Sequence, residues 1–515
     1  MNNGKVCVSV CAETAEEFIQ NIRRAEKFAD VIELRLDCLN KDDVRGVVEN
    51  LPKTEKTYLF TFRPREQGGN RDLTVVEKLK FWEHVFWSHD SDFMIDIEFD
   101  HNLLNAVNPE TKKRIVSSHA FDGTVTHIDQ TWQVMSEISD SLIKIALQAD
   151  DITDAIPVWK LLGVAKAENK QIIPIAMGEA GKWTRILGPA HGAFMTYASL
   201  ESGRETAPGQ ITAKDLIEIY RVKQLDLETK VFGVIGDPVS QSLSPYMHNP
   251  AFVSSKINAV FIPFQVKNID EFIRRMVRPE TREVELNFTG FSVTMPHKQS
   301  IMKHLDALDP IAEKIGAVNT VKIEGERLTG FNTDAHGFIT PLKAKFSNLD
   351  GARVAVFGAG GAARAVVYAL KQENANVTVI ARDERKARSL ADEFGVSSNQ
   401  ISNFKSQISN RVGDQFDVVI NATPMGMKGP NESEFLFAAE ELVGVNYFYD
   451  LVTSAADTPT IREAKKAGVA ANGGLEMLVA QGAKQFEIWT GREAPLELMT
   501  ASVAERMTEI IFHEC

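Results

Sequence analysis

Lys144 sits inside the apolar run LIKIAL (142–147). A lysine held among such neighbours loses hydration, which penalises the ammonium and lowers its pKa. The neutral amine is the form that attacks a ketone to make a Schiff base. The same residue could instead reach solvent or pair with a carboxylate such as Glu98. His119 follows a second apolar run, RIVSS (114–118). Its imidazole, with an ordinary pKa of about 6.5, can take and return a proton. Arg35, Arg63 and Arg185 suit a carboxylate ligand, which a guanidinium grips with two parallel hydrogen bonds. Glu33 lies two residues from Arg35 and so shares its strand face. Taken singly, each of these strand-end groups reads equally as a surface charge.

A second set lies further along. Gly358-x-Gly360-x-x-Ala363 matches the dinucleotide fingerprint, with a short strand (353–357) before it and a helix-forming run after it. Glycine lets the backbone turn sharply and approach a pyrophosphate, and the helix N-terminus offers unpaired N–H groups to the anion. Arg382, with Arg385 and Lys386 behind it, follows the next strand, NVTVI (376–380). A basic residue there accommodates a 2′-phosphate and favours NADP over NAD, while Asp383 works against a phosphate. Lys298, delivered by Pro296 at a strand end, and Asp334 form a candidate proton-transfer pair that also reads as a surface ion pair. Ser242 and Ser244 fall on one side of an extended loop, or serve as turn and cap residues.

The elements that must carry these residues alternate. Strand patterns occur at 5–10, 31–36, 57–62, 93–98, 114–118, 142–146, 171–176 and 193–198, with helical patterns between them. Eight such units imply a (β/α)8 barrel, whose active site lies at the C-terminal strand ends, where Glu33, Arg35, Arg63, Glu98 and His119 all fall. Residues 213–228 read as a last helix running into the next unit, with no flexible spacer.

Bulk properties bound the rest. A chain of 515 residues holds about three domains. A net charge of −13 disfavours nucleic acid and anionic membrane as partners. No apolar run is long enough to span a bilayer, and the first residues carry no secretory pattern. Cys7, Cys11, Cys38 and Cys515 form no C-x-x-C pair; Cys7 and Cys11 read as small core residues on one strand face rather than metal ligands, and the expected compartment is the reducing cytosol. No metal is expected, and oligomeric state is not readable.

The ordered blocks ELRLD (33–37), TFR (61–63), SSHAFDGT (117–124), IKIA (143–146) and APGQIT (207–212) resemble type I 3-dehydroquinate dehydratase across residues 5–222. The resemblance implies that Lys144 is the Schiff-base lysine and His119 the general acid/base. It implies that Glu33, Arg35, Arg63, Arg185, Thr206 and Gln210 bind substrate. Thr206 replaces a frequent serine. Gln67 stands where the family often has a glutamate supporting the histidine.

From about residue 230 onward, SQSLSP (240–245), GFSVTMPHK (290–298), GAVNTV (316–321), GFNTDAHG (330–337), GAGGAARA (358–365), NATPMGM (421–427) and GGLEMLVAQGAKQFEIWTG (473–491) resemble shikimate dehydrogenase. That resemblance implies Lys298 and Asp334 as the catalytic pair. Ser242, Ser244, Thr294, Asn319 and Gln481 would bind substrate. Gly358, Ala359, Gly360, Gly361, Ala362, Arg382, Lys386, Thr423, Met425 and Gly474 would bind NADP. Thr453 replaces a frequent tyrosine.

The implied architecture is α/β throughout: a barrel over 1–225, a substrate-binding lobe over 229–340 plus 475–515, and a Rossmann nucleotide domain over 341–474. The implied activity is two consecutive reactions, dehydration of 3-dehydroquinate and reduction of 3-dehydroshikimate. A dehydrogenase with a non-catalytic barrel and a metabolite-binding sensor are the competing readings.

Overall fold

The computed structural model describes residues 2, 4–88, 93–99, 113–121, 127–401, 412 and 416–514. The end of the SSHAFDGT motif, residues 122–124, lies outside them. The chain divides into two compact units. One comprises residues 1–233, 237–240 and 258–288; the other comprises 234–236, 241–257 and 289–515.

The first unit is built on parallel strands β1 (Val6–Val10), β2 (Val31–Arg35), β3 (Thr57–Thr61), β4 (Met94–Glu98), β5 (Lys113–Ala120), β6 (Ser141–Gln148), β7 (Ile172–Met177), β8 (Thr196–Ser199) and the short β9 (Ile211–Thr212). Their order is β7-β6-β5-β4-β3-β2-β1-β8-β9. The Phe194 N–H donates to the Ile172 carbonyl at 2.9 Å, bringing the β8 side round to β7. All eight principal strands feed one interior cluster, including Cys7, Val31, Leu59, Met94, Ile115, Leu142, Ile173 and Tyr197. This is the expected (β/α)8 barrel, with its interior filled by side chains.

Helices flank the strands. The Ala15–Ala25 helix starts on Thr14, whose side chain accepts from the Glu17 N–H, and buries Phe18, Asn21, Ile22 and Ala25 on one stripe. The segment expected to be helical over 213–228 ends early. A single wide π-helical turn covers Asp215–Ile219, and Arg221 then adopts φ 53°, a left-handed conformation that stops a helix. Its guanidinium donates to the Ala259 carbonyl at 2.6 Å.

The cysteines depart from expectation. Cys7 is buried, but Cys11 forms a disulfide with Cys38. Cys11 is one residue past β1 and Cys38 three past β2, so both leave the core at the same end of two paired strands.

Beyond the barrel, a mixed sheet runs β11 (Ala259–Gln265), β10 (Lys230–Gly236), β12 (Phe288–Val293), β14 (Thr320–Glu324), β15 (Arg327–Phe331), β13 (Ala307–Leu308). A parallel sheet follows in the order β18 (Ser397–Gln400), β17 (Asn376–Ala381), β16 (Arg353–Phe357), β19 (Val418–Asn421), β20 (Tyr447–Asp450), β21 (Ala470–Asn472). Read by sequence rank this is 3-2-1-4-5-6, the doubly wound dinucleotide-binding order, with its switch point between β16 and β19. The Leu475–Thr490 helix packs on the Asp334–Lys345 helix; a Cβ at Gly337 would meet the Gln481 Cβ at 2.5 Å, so glycine sets their approach. Among the described residues no helix is long and apolar enough to cross a membrane.

Candidate functional site

In the barrel, Glu33, Arg35, Arg63, His119, Lys144, Arg185, Thr206 and Gln210, the eight residues that the family resemblance assigns, line one pocket together with Gln67, Phe121 and Tyr197, while the strand-end Glu98 is not among its lining. Strand alternation explains the convergence. Glu33 and Arg35 project from one face of β2, and Lys144 of β6 stands beside Ser117 of β5 in register.

Lys144 is 5% exposed, and burial pulls its ammonium below the usual lysine range. Its partner is Asp96, not Glu98: Nζ donates to Asp96 Oδ2 at 3.2 Å. Asp96 also accepts from Arg63 Nη2 at 2.6 Å and from Ser117 Oγ at 2.5 Å. Burial alone would raise the Asp96 carboxyl, but Arg63 and Lys144 hold it well below the carboxylate range. Glu98, two residues on, lies 3.9 Å from Arg63, and burial pushes its pKa up. Lys144 Nζ also lies 4.0 Å from the centroid of the Tyr197 ring.

His119 is half-buried, and burial, with Arg63 and Lys144 nearby, pushes its imidazole well below its ordinary pKa. Gln67 Oε1 accepts from the His119 backbone N–H at 2.9 Å and lies 3.3 Å from Nδ1. Phe121 stacks nearly parallel to the imidazole, with centroids 6.4 Å apart.

The three arginines are not equivalent. Arg35 is held by Asp37 through two bonds of 2.8 Å, and Arg63 by Asp96. Arg185, 2% exposed, donates to the Pro208 carbonyl at 3.3 Å, and its Nε has no hydrogen-bond partner among the described residues. Burial pulls its pKa down to about 10. A buried guanidinium with spare donors is suited to an incoming carboxylate. Thr206 and Gln210 bond each other, the Thr206 N–H donating to Gln210 Oε1 at 2.8 Å.

A second network lies in the other unit. Lys298 Nζ donates to Asp334 Oδ2 at 2.5 Å. Asn319 Nδ2 reaches Asp334 Oδ1 at 2.7 Å and Gln481 Oε1 at 3.3 Å. Thr333 and Thr320 close the cluster, and Gln485 ties it to Ser292 at 2.9 Å. Thr294, half-buried, ends the same segment and bonds through its N–H to Ile235. Ser242 and Ser244 are not on one extended loop. Ser244 opens the Ser244–Ser254 helix, and its N–H donates to Ser242 Oγ at 3.3 Å.

The fingerprint has the expected form. Gly358 has φ 120°, and a Cβ there would meet the Ala422 carbonyl at 2.7 Å, so only glycine fits. Gly360 caps the Gly361–Gln372 helix without a side-chain bond, leaving the first N–H groups, with Ala359 and Ala362 beside them, for an anion. A Cβ at Gly361 would meet the Lys298 Cβ at 3.0 Å, so the lysine stem rests on this glycine. Asp383 caps the Glu384–Phe394 helix, accepting from the Arg385 N–H at 3.0 Å and Lys386 N–H at 3.4 Å, while the Arg382 and Lys386 side chains are exposed. Thr423 bonds Asn421, and the Met425 N–H donates to Thr423 Oγ1 at 3.2 Å. A Cβ at Gly474 would meet the Leu451 carbonyl at 2.4 Å and Thr453 Oγ1 at 2.9 Å.

Asp96, Ser117, Asp37 and Tyr197 complete the pocket's contacts, and no pattern in the sequence assigns them a role there. Asp96 shares its strand face with Glu98, and alternation was the signal available for it.

The sequence matches the type I 3-dehydroquinase family over residues 6–226 and the shikimate dehydrogenase substrate binding domain over 234–321. It matches shikimate/quinate 5-dehydrogenase over 341–428 and the shikimate 5′-dehydrogenase C-terminal domain over 474–504. It is 31% identical to the bifunctional 3-dehydroquinate dehydratase/shikimate dehydrogenase, chloroplastic, of Arabidopsis thaliana, over 96% of this chain and 84% of that one. It is 41% identical to the shikimate dehydrogenase (NADP+) of Methanopyrus kandleri over 55% of this chain and 98% of that one. A crystal structure of a shikimate dehydrogenase in complex with NADP+ aligns at 36% identity with a TM-score of 0.49, covering 55% of this chain and 98% of that one. The chain belongs to the family of bifunctional 3-dehydroquinate dehydratases/shikimate dehydrogenases.

Proposed function

We propose that the barrel dehydrates 3-dehydroquinate through a Schiff base on Lys144, and that the second unit reduces the product with NADPH using Lys298 and Asp334. Residues 1–225 carry the first reaction. Residues 229–340 with 475–515 bind the second substrate, and 341–474 bind the nucleotide. The observation that carries this reading is Lys144, a lysine whose ammonium is weakened by burial in the same pocket as a neutral-leaning histidine and an arginine with spare donors.

The Lys144 amine adds to the substrate ketone, and loss of water leaves an iminium that acidifies the adjacent C–H. His119 takes that proton. Gln67 Oε1, an acceptor, favours the tautomer protonated at Nδ1 and leaves Nε2 basic. His119 then returns its proton to the departing hydroxyl, which leaves as water. Hydrolysis of the imine frees 3-dehydroshikimate and restores Lys144. Arg185 pairs with the substrate carboxylate, supported by Arg35, Arg63 and Gln210, while Glu33 and Thr206 bond substrate hydroxyls.

In the second unit Ser242, Ser244, Thr294, Asn319 and Gln481 hold 3-dehydroshikimate. The capless helix start after Gly360 suits a pyrophosphate, and Arg382 with Lys386 suits a 2′-phosphate. Asp383 caps the helix that follows, its carboxylate accepting from the Arg385 and Lys386 N–H groups. NADPH, when bound, supplies a hydride to the substrate carbonyl. Lys298 gives a proton to the alkoxide oxygen, and Asp334 and Asn319 keep the ammonium aimed.

The test is a coupled assay with 3-dehydroquinate and NADPH. Oxidation that yields shikimate, and that Lys144→Ala abolishes while 3-dehydroshikimate is still reduced, supports both assignments. Oxidation of NADPH with 3-dehydroshikimate but never with 3-dehydroquinate would remove the barrel activity.

A further inference from the structure

Tyr197 stands on β8 with its ring 2% exposed, opposite the small Cys7 of β1 in register. Lys144 Nζ lies over the ring face at 4.0 Å from its centroid, well inside the range of a cation–π contact. Burial pushes the phenol pKa up, so the ring stays neutral and keeps its negative face through the working pH range. Lysine and ring are both buried, and such an interaction is strongest where it is shielded from solvent.

We propose that the face of Tyr197 is a catalytic surface that stabilises the cationic iminium formed at Lys144. The inference rests on the Schiff-base reading above. Going from amine to iminium, the nitrogen gains charge without leaving its place. Asp96 is the obvious counter-ion, but its two oxygens are already shared with Arg63 and Ser117. The iminium nitrogen also keeps one N–H where the ammonium had three, so hydrogen bonding to it is reduced. A ring face needs no hydrogen from its cation and therefore holds the iminium as well as the ammonium. It is a stabiliser with no proton to exchange and no competing arginine.

The experiment places phenylalanine and its mono-, di- and trifluorinated analogues at position 197 in the full chain. Fluorine drains the ring face with little change of shape. Each variant is incubated with 3-dehydroshikimate and borohydride, and the reduced adduct on Lys144 is measured by mass spectrometry. Tyr197→Phe should trap like the parent. Trapping should then fall stepwise with fluorine count, by about tenfold across the series. Reduction of 3-dehydroshikimate by the second unit should not change, which controls for protein quality. A flat series, with the parent trapping normally, would overturn the role of Tyr197 alone. No adduct on Lys144 in the parent would overturn the Schiff base itself, and this proposal with it.

Discussion

Gln67 meets His119 at 3.3 Å with a neutral amide, where a carboxylate would hold the imidazolium. The consequence is electrostatic. Burial, Arg63 and Lys144 already depress the His119 pKa. The base form therefore persists below the ordinary value of about 6.5, and the acid limb of dehydratase kcat/KM should fall below that pH. Gln67→Glu adds an opposing charge beside Nδ1 and should move the acid limb up by about one pH unit. A pH profile of both proteins checks this; an unmoved limb would mean that another group controls it. The stability sign follows the same shift. A histidine with a depressed folded pKa favours the native state above the unfolded value, and that contribution is lost as pH falls below it. Lys144 and His119 were legible because each carries its chemistry inside or just beyond an apolar strand. Asp96 was not. Alternation places it on one face with Glu98, and which of the two meets the lysine depends on how neighbouring strands stagger, which no single strand records.

Elements position these groups, and two of them offer tests. The Cys11–Cys38 bridge joins the chain just past the ends of β1 and β2 and closes a loop with a sequence separation of 27. Asn70 links it to the substrate pocket: Asn70 Nδ2 contacts Cys38 Sγ at 3.3 Å, and the Asn70 N–H donates to Asp37, which holds Arg35. Opening the bridge should destabilise this unit by about 3 kcal/mol, read as a lower denaturation midpoint for the Cys11→Ser/Cys38→Ser pair. Equal midpoints would mean that the bridge constrains little. The pairing was invisible in the sequence because the two cysteines meet only after β1 and β2 pair across an intervening helix. The glycine turn, by contrast, was fully legible, since its spacing encodes a backbone path. Its third glycine has a duty that the fingerprint does not encode. The stem of Lys298 rests on Gly361, so Gly361→Ala should displace the lysine and lower reductase kcat by roughly tenfold, the scale of a small misplacement of a catalytic group. The dehydratase of the same chain should be unaffected, and a reductase kcat equal to the parent's would dismiss the contact.

At the scale of the molecule, each network closes within its own compact unit. The residues proposed for the dehydratase, Glu33 to Gln210, fall in the first, and those proposed for the dehydrogenase, Ser242 to Gln481, in the second. The proposed reactions are coupled chemically: the ketone left by the first is the group the second reduces. Inactivating one site should then leave the other intact, and two half-dead chains should restore the sequence between them. Mixing Lys144→Ala with Lys298→Ala, in the presence of 3-dehydroquinate and NADPH, should yield shikimate after a lag while the intermediate accumulates in solution. The parent should show a lag no longer than that of the mixture at equal site concentration. A mixture that never makes shikimate, although each variant keeps its remaining single activity, would mean that the intermediate does not leave the chain that makes it. That outcome would turn a shared metabolite into a physical connection between the sites.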